Sequence, residues 1–188
     1  PLDKLAAIDR WLFHLINGRA TNPVLDAVMP FITEGDKFII PLAAVWFFLF
    51  WKADRRGKTA ALVTLVVIAA SDQFSAHVLK PLFSRQRPPY SLEHVTLLVD
   101  TTRSFSFPSV HASNAFAVAS FVSSLYRRGS WPLYIVACLI AYSRVYVGVH
   151  FPFDVLGGTA VGLCIGFSAA AILKRVLPAG QKAQVPDA

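Results

Sequence analysis

Between residues 38 and 173 the chain is built from five apolar stretches, residues 38–51, 59–79, 110–126, 131–149 and 151–173, separated by short polar links. A helix needs about 20 mainly apolar residues to cross a bilayer. Charge points the same way: only 15% of residues are charged, against about 25% in an ordinary soluble domain. A soluble chain so poor in charge would leave much of its surface apolar, whereas lipid covers a membrane protein. The pattern predicts an all-α fold, a polytopic transmembrane helical bundle of about five to six spans. The first stretch is short, but Lys37 and Lys52 flank it, and their long stems can snorkel outward. The second carries Asp72, Gln73 and His77, so it cannot face lipid on every side.

Residues 1–37 differ in kind. Leu5, Ile8, Leu12, Leu15 and Ile16 share one face at helical spacing, and Asn22-Pro23 breaks the run. Two amphipathic helices lying at the membrane interface are expected; a further span here would have to bury Arg10 and His14. The early charges Asp3, Asp9, Arg10, Arg19 and Asp26 leave no clean signal-peptide core. Residues 38–177 form one transmembrane domain, and residues 178–188, polar and proline-containing, are expected to be a flexible tail. Cys138 and Cys164 sit inside apolar runs without metal-ligand spacing and are expected to be small buried residues.

The net charge is +7, yet the cations punctuate apolar runs and form no continuous face for nucleic acid. Lys52, Arg55, Arg56 and Lys58 follow the first stretch, Arg127 and Arg128 the third, and Lys174 and Arg175 the fifth. Five alternating spans put these links on one side, which the positive-inside rule makes cytoplasmic. Trp51 and Trp131 fall at the same level, as interfacial aromatics do. The opposite side holds Arg85, Arg87 and Arg103 against that bias, which calls for an anionic ligand.

Three clusters on that side carry chemistry: Lys80 with Arg87-Pro88, Pro108-Ser109-Val110-His111, and Ser143-Arg144 with His150 and Asp154. Arginine presents a planar fork that matches phosphate oxygens. Ser109 opens a helix after Pro108, and a helix N-terminus offers free N–H groups and the positive end of a dipole. Lys80, Arg87, Arg144 and Ser109 therefore make a phosphate cradle, and no carboxylate cluster accompanies it to hold a metal. His150 and Asp154 are four apart, with Pro152 suited to the first turn of the last helix. The carboxylate can bond one ring nitrogen of His150, leaving the other to attack phosphorus. His111 can protonate a leaving oxygen and then activate water. An anion channel or transporter would use the cations too, but has no need of His150 and Asp154 at this spacing.

The three clusters resemble the signature of the type 2 phosphatidic acid phosphatase superfamily: Lys, six residues, Arg-Pro; Pro-Ser-Gly-His; and Ser-Arg, five residues, His, three residues, Asp. Every key position is filled except that Val110 stands where the family has glycine. The resemblance implies a phosphohistidine at His150 supported by Asp154, with His111 as acid and then base. Lys80, Arg87, Ser109, Arg144 and the N–H of Val110 would hold the phosphoryl group, without metal or cofactor. Vanadium haloperoxidases share this cradle but are soluble and longer. The opening stretch, with Asp9-Arg-Trp-Leu-Phe and Phe31-Ile-Thr33-Glu34, is similar to bacterial undecaprenyl-diphosphate and lipid A 1-phosphatase types. The resemblance implies a bacterial inner-membrane enzyme with its site on the periplasmic or extracellular face, acting on membrane lipids and not on nucleic acid. Undecaprenyl diphosphate is the favoured substrate, because Arg85 and Arg103 would meet its second phosphate; lipid A 1-phosphate and phosphatidylglycerophosphate follow.

Overall fold

The computed structural model describes residues 2–34, 39–126 and 130–176. The expectations for Lys37, Arg127, Arg128 and residues 178–188 lie outside them. Every regular element among the described residues is helical.

The chain opens with α1 (Leu2–His14), prolonged by a π-helical turn at Leu15–Arg19, and then α2 (Pro23–Thr33). The break at Asn22 is a cap: its side chain accepts from the N–H groups of Val24 and Leu25 at 3.2 and 3.0 Å, with Pro23 in the first turn. Arg10 and His14 are both exposed. These two helices dock on the rest of the bundle through polar anchors. Asn17 donates to the carbonyls of Thr96 and Tyr146 at 2.7 Å each, and the Tyr146 hydroxyl donates to Asp26 at 2.7 Å.

Each of the five apolar stretches becomes a helix. The first is α3 (Ile39–Lys52). Next comes α4 (Arg55–Gln73), which Asp54 caps by accepting from the Gly57 N–H at 2.7 Å. A π-helical turn at Phe74–Leu79 joins α4 to α5 (Lys80–Phe83), which stops at Ser84, a residue in the left-handed region at φ 45°. After the short α6 (Pro88–Ser91) come α7 (Val110–Leu125), α8 (Trp131–Tyr146) and α9 (Pro152–Val176). Two helical runs among the described residues, Arg55–Ser91, interrupted at 84–87, and Pro152–Val176, are long and apolar enough to cross a membrane; α7 and α8 are shorter.

The outside of the bundle is apolar. Val45, Phe47, Phe48 and Leu49 on α3, Val66 on α4, Val136 on α8 and Ile172 on α9 are each more than half exposed. Water would penalise such a surface; lipid does not. Cys138 and Cys164 belong to this outer surface: both are exposed, not buried as expected.

Gly158, Gly162 and Gly166 of α9 all face α7. A β-carbon at these positions would run into the Ser109 carbonyl, the Ser113 carbonyl and the Ala117 carbonyl respectively. The glycines let the two backbones approach until they touch, as small-residue stripes do between membrane helices. The second stretch turns some of its polar residues the same way, while Gln73 and His77 stay exposed. Ser71 and Ser75 bond the Ser113 hydroxyl at 2.7 and 3.1 Å, and Asp72 accepts from Asn114 at 3.3 Å.

Candidate active site

The site lies where the first turns of α7 and α9 meet. The Ser109 N–H donates to the Asp154 carbonyl at 2.9 Å, which locks the start of one helix to the start of the other. The π-helical turn of α4 ends at Lys80, and α8 ends two residues after Arg144. Four chain segments thus deliver their charged residues to one end of the bundle.

There they line a cavity of about 160 Å³, formed by Lys80, Arg87, Val110, His111, Arg144 and His150 together with Asp100 and Thr102. A larger cavity, about 350 Å³, opens at the other end between Arg56, Tyr126 and Lys174. It contains no histidine and none of the clustered motif residues, so the smaller cavity is the candidate for chemistry. Arg56 and Lys174 thus lie at the opposite end of the bundle from the motif residues.

Lys80, Arg87 and Arg144 are all buried. Neutral oxygens hold them. Arg87 donates to the Ser104 carbonyl at 2.9 Å, the Ser104 hydroxyl at 3.0 Å and the Val149 carbonyl at 3.1 Å. Lys80 donates to the same Ser104 hydroxyl at 3.3 Å, and Arg144 donates to Thr33 at 2.5 Å. Two buried polar atoms here have no partner among the described residues, the Ser109 hydroxyl and Nε of Arg144. The first-turn N–H groups of α7, those of Val110 and His111, have no helical acceptor by geometry. These are the donors a phosphate needs.

His150 is fully buried in the turn between α8 and α9. Its Nδ1 faces Asp154 Oδ2 at 3.6 Å and the Ser106 hydroxyl at 3.4 Å. Its Nε2 faces Arg87 Nη1 at 3.3 Å on the cavity side. Burial pulls the ring down to about 3, with Arg87 and Arg144 adding to that and Asp154 opposing it. The imidazole is therefore neutral in the free protein, with Nδ1 turned to the carboxylate. Asp154 is held from several sides. Ser106 donates to Oδ2, the Phe151 N–H donates to Oδ2 at 2.8 Å, and Arg85 donates to Oδ1 at 2.7 Å. His111, exposed on the first turn of α7, also lines the cavity.

All eight residues singled out from the sequence gather here. Arg85 departs from expectation: it is neither solvated nor free for a second phosphate, because it pairs with Asp9 at 2.5 Å and with Asp154. Arg103 is exposed and does not line the cavity. Thr33, Ser104 and Ser106 hold the site, and Asp100 and Thr102 line it; none was singled out from the sequence. The first belongs to the N-terminal helices and the others to the loop after α6, a stretch without helical periodicity or motif spacing.

A helical bundle with an apolar exterior and a cationic cavity around a carboxylate-paired histidine defines a membrane phosphatase. The chain belongs to the PAP2 superfamily, whose family model matches residues 61–177. A lipid A 4'-phosphatase from Porphyromonas gingivalis is 33% identical over 88% of this chain and 72% of its own length. The undecaprenyl-diphosphatase BcrC of Bacillus subtilis is 30% identical over 83% of this chain and 79% of its own length. Among solved structures, the transmembrane PAP2 type phosphatidylglycerolphosphate phosphatase of Bacillus subtilis superposes with a TM-score of 0.74 at 28% identity, covering 93% of this chain and 89% of that one. Aquifex aeolicus LpxE does so with a TM-score of 0.67 at 30% identity, covering 87% and 95%.

Proposed function

We propose that the chain removes the terminal phosphate of a membrane lipid through a phosphohistidine at His150, on the outer face of a bacterial inner membrane. The observation that carries this reading is the asymmetry of His150: Nδ1 turns to Asp154, while Nε2 opens onto a cavity walled by Lys80, Arg87 and Arg144. The phosphoryl oxygens take the unpartnered Ser109 hydroxyl, Nε of Arg144 and the N–H groups of Val110 and His111. Nε2 forms a bond to phosphorus as the bond from phosphorus to the lipid oxygen breaks, and His111 gives that oxygen its proton. His111 then takes a proton from water, the water oxygen attacks phosphorus, the N–P bond breaks, and orthophosphate leaves. Asp154 supports the positive charge that His150 carries in between.

The lipid class follows from position. The residues lie at helix ends, so a lipid can present its head group while its tail stays in the bilayer and contributes binding energy remote from the reacting bond. A diphosphate such as undecaprenyl diphosphate has the better leaving group. Its second phosphate does not find Arg85, however, which Asp9 and Asp154 occupy. Asp100 on the cavity wall instead suits a hydroxyl-bearing head group, and this favours a sugar-linked phosphate such as that of lipid A as the second reading.

The test is phosphate release by the purified chain from undecaprenyl diphosphate, lipid A, phosphatidylglycerophosphate and a soluble ester at matched detergent mole fraction. Turnover is expected on the lipids, undiminished by EDTA, and abolished by His150→Ala. Activity surviving His150→Ala refutes the phosphohistidine route. Equal kcat/KM on the soluble ester refutes recognition through the lipid.

A further inference from the structure

Asp9 stands far from the three clusters in sequence, on α1, yet it is completely buried beside them. Its Oδ2 accepts from Arg85 Nη2 at 2.5 Å, and its Oδ1 accepts from the Phe153 N–H at 2.9 Å. The same guanidinium donates through Nη1 to Asp154 Oδ1 at 2.7 Å and lies over the Phe151 ring, 4.2 Å from its centre. Arg85 is thus forked between two carboxylates, and one of them is the partner of His150.

Arg85 on its own would neutralise Asp154 and weaken the negative charge next to Nδ1. Asp9 shares the cation, so the three groups together keep one negative charge beside His150. The bond to the Phe153 N–H also fixes the first turn of α9, from which Asp154 projects. We infer that Asp9, acting through Arg85, is a positioning residue for phosphoryl transfer: it holds the Asp154 carboxylate toward His150 and preserves the negative charge of the cluster. Helix α1 is then part of the active unit and not only an element lying at the membrane interface. This inference rests on the phosphohistidine reading above.

Asp9→Asn tests it in the full chain. Asparagine keeps the shape and can still accept from Phe153, but it carries no charge. The expected result is a fall in kcat of about 10–100-fold, with KM and inhibition by inorganic phosphate unchanged within about twofold, because the cradle is untouched. Arg85→Gln should show the same split, and Asp3→Asn, on an exposed part of the same helix, should match wild type. Wild-type kcat in Asp9→Asn overturns the inference. So does a loss in which kcat, phosphate inhibition and unfolding temperature all fall together, since that is a folding defect. If Asp9→Asn yields no folded protein, Arg85→Gln decides by the same criteria. His150→Ala is measured alongside: activity persisting there sinks the phosphohistidine reading itself, whereas a dead His150→Ala with an unimpaired Asp9→Asn sinks only the role of Asp9.

Discussion

Adding one methyl group at Gly158 separates packing from chemistry in this fold. A β-carbon there would collide with the Ser109 carbonyl and lie 3.2 Å from the Ala112 β-carbon. Apolar atoms prefer roughly 3.5–4 Å, and a backbone carbonyl cannot rotate aside, so α7 and α9 must part by up to about 1 Å. Overpacking of this kind costs about 1–3 kcal/mol. Alanine's usual helix advantage, about 1 kcal/mol, offsets little of this where the separated helices stay helical in lipid. Gly166 poses the same problem against the Ala117 carbonyl and Ser120, but eight residues further along α9, about 12 Å from Gly158. Gly158→Ala and Gly166→Ala should therefore lose similar stability, read as the unfolding temperature in detergent. Their activities should differ. Only Gly158 pushes on the junction where Ser109 bonds Asp154, and a shift of about 1 Å at reacting groups can cost about 100-fold. Phosphate release should fall about 10–100-fold in Gly158→Ala and stay near wild type, per folded molecule, in Gly166→Ala. Equal activities in the two variants, high or low, would refute the reasoning.

Two further outcomes follow from the same geometry. Because burial depresses His150 to about 3, its ring should remain neutral in the free protein at pH 5, as read from histidine side-chain nitrogen shifts with His150→Asn for assignment; a titration near 6.5 contradicts the buried setting. The sign for stability is set by the same shift: below pH 6.5 the unfolded chain takes a proton that the folded chain refuses down to about 3, so this position costs stability as pH falls through that window. For topology, with Cys138 and Cys164 replaced, an impermeant thiol reagent added to intact cells should label Arg103→Cys and spare Arg56→Cys, and the reverse pattern places the site in the cytoplasm.

The apolar periods marked all five long helices, because span length and interior composition are local properties of a chain in lipid. The candidate phosphate-binding residues stood out for a related reason: Lys80, Arg87 and Arg144 fall in short motifs at the ends of apolar stretches, and His150 and Asp154 are spaced within one turn. Asp9 was not legible as part of the site: the Asp9-Arg-Trp-Leu-Phe run carried a resemblance, but nothing in it gave the carboxylate a partner. Only the fold brings it to Arg85. Ser104 and Ser106 sit in a loop without periodicity, so their roles depend wholly on tertiary contacts. The cysteines misled because a soluble rule, small apolar residues inward, was applied where lipid reverses the cost. The glycines at 158, 162 and 166 were visible at a spacing of four, but that stripe has meaning only opposite the small residues of α7.

The distribution of charge around His150 explains how a crowded cationic site keeps its strength. Four cations and two buried carboxylates meet here, and pairing them evenly would cancel most of the field. Instead both carboxylates, Asp9 and Asp154, take the one guanidinium of Arg85. Lys80, Arg87 and Arg144 bond neutral acceptors among the described residues, the oxygens of Ser104, Val149 and Thr33 and, for Arg87, Nε2 of His150. Their charge remains available to an incoming phosphate. The imidazole ring divides the two groups, with Asp154 on the Nδ1 side and Arg87 on the Nε2 side. In the proposed phosphoryl transfer to Nε2 the ring becomes cationic and negative charge spreads over the phosphoryl oxygens. The field across the ring already points in the direction that stabilises both changes, and the donors need no reorganisation when they occur.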